Sequence, residues 1–421
     1  MAVTAIKQDK ARSIPTPESL VERARAMIPA LKERGAKAEA DRKIPEETIH
    51  EFKEAGFFDI LKPKRWGGFE MDPRVFYQVQ MAIAEGCMSS AWVYGVIGVH
   101  PYQLGLFDGK AQEDVWSKDQ SILISSSYQP VGKVERVDGG FKLSGQWGFS
   151  SGCEHCDWTF LGAMIPPAEA GGPPDMRTFL LPRSDYKIID KWHTFGLKGT
   201  GSQDILVEDA FVPEHRTHRG VDGFMCNNPG QAENTGDIFK LPWAQIFVRA
   251  VSTASIGAAR GALTAYLDVA AKRVSTNTGK ASKSDPFAQM SAAKTRAELD
   301  EMCNTIDHNF EQMLSAVREG REISIEDRML YRYQSSCVSR RCAELVDALV
   351  QHLGGKGVHC PAAARLGDGK PICAGAAVAG DDVPIGRGNK PQIRDQIHRF
   401  AGQGSGAGNH GHVLTGQQIR A

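Results

Sequence analysis

The chain is 421 residues long and carries 50 basic and 50 acidic side chains, a formal net charge of zero. That balance offers no field to hold nucleic acid or an anionic membrane, so small molecules and other subunits are the expected partners. Met1 to Ser13 is polar, without the apolar centre of a signal peptide, and no later apolar run is long enough to span a bilayer, which predicts a cytoplasmic protein.

From Pro17 to Arg34 the apolar positions Leu20, Val21, Ala24, Met27, Ile28 and Leu31 recur at helical spacing and predict one amphipathic helix. A second should open at Pro45-Glu46-Glu47, where proline fits a first turn and the acids complement the helix dipole, and run out at Gly56. Lys64 to Gly68 reads as a glycine-punctuated turn, with a third helix from Pro73 through Ile83. Ser89 to Pro101 is almost entirely small or apolar, which suits tight helix packing, and it ends on His100. Taken from the residues alone, that histidine is either a satisfied core residue or a catalytic one.

Ser121 to Tyr128 changes to a strand pattern, and its three consecutive serines need partners, in a polar pocket or at an exposed edge. Val134 to Leu143 alternates around Asp138-Gly139-Gly140, a hairpin signal. The stretch that follows, Leu143 to Cys156, is where the chemistry is placed. The strand delivers Trp147, Ser150 and Ser151 to its end, and Gly148 and Gly152 would let backbone approach a flat ligand. An ordinary sheet turn with a core tryptophan is the alternative. Cys153 and Cys156 have C-x-x-C spacing around His155, but no second pair follows, so reduced thiols are expected and no metal site.

The strand pattern continues through Trp158 to Met164 and Thr178 to Pro182 and closes at Ile205 to Pro213. Within it, Lys198, Thr200 and Ser202 sit in a glycine-rich loop that could hold phosphate oxygens or could be a plain hairpin turn. Ile246 to Lys272 then predicts a long helix whose small residues suit close contact, with Arg273 at its end, held by helix carbonyls or reaching an anionic ligand. Phe287 to Arg318 and Ser324 to Leu353 complete a bundle. The resulting α+β organisation is an N-terminal helical domain over 1–118, a central β domain over 119–225, a helical bundle over 240–357, and an atypical glycine-rich tail over 358–421. Disorder and translation from a displaced reading frame are the two readings open for the tail, and the nucleotide sequence of the locus decides between them.

Gly56 to Gly68, Ser125-Ser-Ser-Tyr128, Trp147-Gly-Phe-Ser-Ser-Gly-Cys153 and Gly196 to Ser202 together resemble the oxygenase components of two-component, reduced-flavin-dependent aromatic hydroxylases. The nearest likeness is to the secosteroid phenol hydroxylases, then the p-hydroxyphenylacetate hydroxylases, over about Pro17 to Gly357. The resemblance implies the acyl-CoA dehydrogenase fold with a β-barrel-like central domain, reduced FMN or FAD from a separate NAD(P)H flavin reductase, dioxygen as co-substrate, a small aromatic substrate and a homotetramer. It implies ortho hydroxylation through a C4a-hydroperoxyflavin. Ser151 corresponds to the serine at flavin N5, and His100 and Ser126 to the residues facing the phenol oxygen. Trp147, Ser150 and Lys198 fall beside the cofactor, and Thr200, Ser202 and Arg273 where its phosphate is held. An arginine that some relatives present to the flavin falls near Ala244, and the C-terminal helix of the family is not found after Gly357. Two other readings accompany this one: an acyl-CoA dehydrogenase with a carboxylate base, and an inactive oligomeric homologue.

Overall fold

The computed structural model describes residues 14–166, 175–274, 279 and 281–352. The tail over 358–421, with both of its readings, lies outside the described residues. All of the described residues belong to one compact unit, Met1–Val383.

Helix α1 (Pro17–Ala26) starts at Thr16, whose hydroxyl accepts the Ser19 N–H at 3.2 Å. The chain breaks at Met27 and resumes as α2 (Ile28–Asp41), where one continuous helix is predicted. Pro29 is the cause: it has no N–H to give the preceding turn, and its ring crowds the carbonyl four residues back. Helix α3 (Glu46–Ala55) ends as expected at Gly56, which takes a φ of 81°. The Asp72 carboxylate caps α4 (Pro73–Gly86), and α5 (Met88–Gly98), α6 (His100–Leu104) and α7 (Gly109–Trp116) follow.

The strands are β1 (Ile124–Val137), β2 (Gly140–Ser150), β3 (Trp158–Ile165), β4 (Asp175–Pro182), β5 (Lys187–Ile189), β6 (Gln203–Pro213) and β7 (Thr217–Arg219). They form one sheet in the order β5-β6-β2-β1-β3-β4-β7. The predicted hairpin is present, with Val137 opposite Gly140, while β1 pairs with β3 in parallel. The sheet curls on itself. Phe141 of β2 and Phe179 of β4 are not neighbours in the strand order, yet their rings meet edge to face at 5.6 Å inside a core that also holds Leu143, Leu161 and Val212. The opposite face carries Ile124, Phe160 and Leu180 against Leu104, Phe107 and Trp116 of the helices. Period-two alternation thus gives the sheet two cores.

Beyond the sheet come α8 (Gly220–Met225), α9 (Trp243–Ala250), α10 (Ala254–Lys272), α11 (Pro286–Arg318) and α12 (Ile325–Gln351). The helix predicted from Ile246 to Lys272 is interrupted between α9 and α10. There Ser252 turns its hydroxyl back to the Arg249 carbonyl at 3.4 Å, a local bond that competes with the helical ladder. The small residues of α10 do permit close contact: a Cβ on Gly257 would stand 2.1 Å from the Met81 carbonyl oxygen and 2.7 Å from the Ala84 methyl. Replacing Gly257 with Ala must push α10 away from α4. The expected result is a loss of about 1–3 kcal/mol in urea unfolding, and an unchanged midpoint would show that the two helices adjust freely.

Candidate active site

Three segments far apart in sequence converge on Ser151. Helix α5 brings Trp92, the end of β2 brings Ser150 and Ser151, and the turn at Lys198–Thr200 brings Thr200 and Ser202. Backbone holds two of them together, with the Gly152 N–H donating to the Thr200 carbonyl at 2.8 Å. Gly152 has a φ of 66°, and a Cβ there would lie 2.7 Å from Ile97 and 2.8 Å from Val93. Its missing side chain therefore admits α5, where the sequence suggested a flat ligand.

The hydroxyls in this turn are bonded to one another. Ser151 Oγ lies 2.7 Å from Ser202 Oγ, which lies 2.7 Å from Thr200 Oγ1, and Thr200 donates to the Leu197 carbonyl at 2.9 Å. The Trp92 indole N–H donates to Ser151 Oγ at 3.1 Å. Ser150 Oγ is buried with no partner. Cys153 and Cys156 are buried beneath the turn as free thiols, both pushed up in pKa by burial, Cys153 to about 12. They stay protonated and act as small apolar groups.

At the far end of α5, His100 opens α6 and is fully buried. Its Nδ1 is 2.5 Å from the Ile124 carbonyl oxygen, and because a carbonyl only accepts, the ring proton sits on Nδ1. Nε2 is left as a bare lone pair without a partner. Burial pushes the His100 pKa down to about 4, the bond to Ile124 opposing it, so the imidazole is neutral through the physiological range. Phe160 and Tyr128 meet the ring edge-on at 5.5 and 6.3 Å.

Alternation in β1 sorts the three serines. Ser125 bonds to Thr159 at 3.1 Å and Ser127 donates to the Gly148 carbonyl at 2.7 Å, both within the sheet. Ser126 lies on the other side of the strand, on the same face as Ile124 and Tyr128. The Tyr128 hydroxyl donates to Gln103 Oε1, and Gln103 Nε2 is a third buried atom without a partner, after Ser150 Oγ and His100 Nε2. Phe247 and Trp243 of α9 close over Tyr128 at 5.1 and 6.2 Å, and Tyr102 stacks on Phe239 and Trp243 at 5.5 and 6.1 Å. An acceptor, a hydroxyl and an amide are thus enclosed by aromatic rings, a composition suited to a planar substrate with one polar edge.

Several expected ligands stand elsewhere. Trp147 is a core residue, fully buried, with its indole N–H shared between the Gln129 and Gly162 carbonyls at 3.0 and 2.9 Å. It fills the space left by Gly132 and Gly145, the place of a core tryptophan. The hydroxyls of Thr200 and Ser202 are turned toward Leu197 and Ser151. Arg273 donates to the His352 carbonyl at 2.9 Å, tying the end of α10 to the end of α12. Lys198 stays half-buried in the turn. Sequence reasoning missed Trp92, Gln103, Tyr128 and the α9 aromatics as site residues. Gln103 had a signal, since it lies one helical turn after His100, and Tyr128 lies two residues after Ser126; Trp92 had none.

Comparison with known proteins gives the family. Residues 16–116 match the family described as Acyl-CoA dehydrogenase, N-terminal domain, and residues 250–363 match Acyl-CoA dehydrogenase, C-terminal domain. The chain is 37% identical over 353 residues to the flavin-dependent monooxygenase oxygenase subunit HsaA of Rhodococcus jostii, an alignment covering 84% of this chain and 90% of that protein. It is 33% identical over 348 residues to the oxygenase component of an FADH2-dependent resorcinol hydroxylase from a Rhizobium species, covering 80% and 85%. The crystal structure of 3-HSA hydroxylase from Rhodococcus sp. RHA1 superposes with a TM-score of 0.79 at 34% identity, covering 92% of this chain and 96% of that one.

The buried imidazole carries a pH signature. Its folded pKa of about 4 lies below the unfolded value of about 6.5, so its stabilising contribution is complete above pH 6.5 and is lost as pH falls toward 4. Relative to His100→Asn, the wild type should lose about 3 kcal/mol of unfolding free energy across that window. Parallel stability curves for the two proteins would show that His100 is not buried neutral.

Proposed function

The chain belongs to the acyl-CoA dehydrogenase family, among the oxygenase components of flavin-dependent aromatic hydroxylases, and from this we propose that it hydroxylates a phenol ortho to its hydroxyl, with His100 as base. The observation that carries the proposal is the bare Nε2 of His100, fixed as an acceptor by Ile124 and enclosed by aromatic side chains. Reduced FMN or FAD, delivered by a separate reductase, would supply the electrons that activate dioxygen, from which the inserted oxygen atom comes. The residues at the Ser151 turn fit such a group: Ser150 Oγ is buried and orphaned, and Ser151 Oγ retains an acceptor position, so both can meet the polar edge of a flat ring.

The protein's own part is proton handling and exclusion of water. His100 Nε2 accepts a hydrogen bond from the phenolic hydroxyl, which pulls its proton away as oxygen transfer proceeds and raises electron density at the ortho carbon. Ser126, on the same face of β1 as Tyr128, donates to the same oxygen, and Gln103 Nε2 is a further free donor beside Tyr128. Trp243 and Phe247 hold the ring and exclude water from the oxygen-transfer site. Acyl-CoA dehydrogenation would keep the same fold, but the relatives that match by sequence are hydroxylases. A homotetramer is part of the proposal, supported by the apolar stripe of Ile325, Met329 and Tyr333, each more than half exposed on α12. The expected solution mass is four times that of the chain.

The test supplies reduced FMN or FAD and oxygen to the protein with a panel of phenols, following catechol and peroxide. His100→Asn should lower the hydroxylation rate by about 10²-fold or more while reduced-flavin affinity stays within a factor of two to three. Equal rates in the two proteins would remove His100 from the reaction.

A further inference from the structure

The hydroxyl chain at Ser151 has a direction. Leu197 offers a carbonyl oxygen, which can only accept, so the Thr200 proton points at it. The 2.7 Å contact to Ser202 then needs the Ser202 proton, and the 2.7 Å contact between Ser202 and Ser151 needs the Ser151 proton. The indole N–H of Trp92 takes one lone pair of Ser151 Oγ at 3.1 Å. One lone pair remains. The reverse orientation would leave the Thr200 and Leu197 oxygens 2.9 Å apart with no proton between them.

Resting on the flavin reading above, we propose that Thr200 and Ser202 are positioning residues that make Ser151 an obligate acceptor, and that this polarity selects reduced over oxidised flavin. N5 of the reduced ring carries a hydrogen and donates, whereas N5 of the oxidised ring has a lone pair and must accept. Ser151 satisfies the first and opposes the second. The site thus favours the cofactor form that arrives from the reductase and, by the same polarity, releases the oxidised form. Neither Thr200 nor Ser202 has to touch the cofactor for this effect.

The experiment measures dissociation constants of the full-length protein for reduced FMN and FAD under anaerobic conditions and for the oxidised forms in air. In Thr200→Val, Ser202 loses its acceptor, can turn its proton onto Ser151, and frees the Ser151 proton for N5 of oxidised flavin. The ratio of oxidised to reduced dissociation constants should fall about tenfold, the worth of one hydrogen bond, equal to about 30 mV in the potential of the bound couple. Ser202→Ala should do the same. Thr200→Ser, which restores the hydroxyl, should recover the wild-type ratio, and Trp92→Phe should keep the preference because it leaves the Ser151 proton committed to Ser202.

A wild-type ratio in Thr200→Val, with both flavin states bound, overturns the inference and leaves the oxygenase reading intact. Equal affinity of the wild type for the two states also overturns it. Failure of the wild type to bind either reduced flavin overturns the cofactor reading and the inference together.

Discussion

Helix α5 is apolar on every side, and enclosing it is the condition on which the site rests. Every residue from Met88 to Gly98 except Trp92 is buried, and a helix without a polar face has to be surrounded. Its glycines record how closely. A Cβ on Gly95 would stand 2.0 Å from Gln80 Nε2 and 2.8 Å from the Ala250 carbonyl, and one on Gly98 would stand 2.8 Å from the Phe76 ring. The Gln80 amide bonds the Ala91 and Ala250 carbonyls at 3.2 and 2.6 Å, which ties α4, α5 and α9 together. So constrained, the helix can neither slide nor turn. It therefore fixes Trp92 at Ser151 and, through Val99 at its end, the start of α6 where His100 meets Ile124.

Stability is given up along the same seam. Of the seven buried side-chain atoms without partners among the described residues, three are His100 Nε2, Gln103 Nε2 and Ser150 Oγ. Each costs about 1–3 kcal/mol while unsatisfied. Their neighbours show that the sequence can satisfy such groups: Ser125 and Ser127, beside Ser126, both have partners. Gln80 Oε1 and Thr253 Oγ1 are also unpaired, and nothing in the structure gives them a ligand.

Much of the architecture was legible because it follows local rules. The hairpin at Asp138 and Gly139, the stop at Gly56 and the close packing at Gly257 each come from one residue's conformational or steric demand. Both helix breaks were misread for the same reason: long-range periodicity outweighed a local signal, Pro29 in one case and Ser252 in the other. The site was harder. Residue type and spacing located a hydroxyl-rich loop at Thr200 and Ser202, but not that it folds against the end of β2 some fifty residues earlier and spends its hydroxyls there. Trp92 contributes through a contact that exists only after helix and sheet have docked. His100 was ambiguous as a residue, and the resemblance pointed to the functional side of that ambiguity.

The short helix α9 sits between two interruptions of the chain and carries Trp243 and Phe247, while the imidazole and the serines belong to α6 and the sheet. Part of the aromatic enclosure is thus carried on an element separate from the imidazole and the serines, while Phe160, Tyr128 and Tyr102 belong to the sheet and to α6. Exchanges of Trp243 or Phe247 would reach Tyr128 but not the bonds that hold His100 at Ile124 and Ser151 at Ser202. A change of ring size on α9 would therefore alter the space beside Tyr128 while the hydroxyl chain at Ser151 keeps its partners.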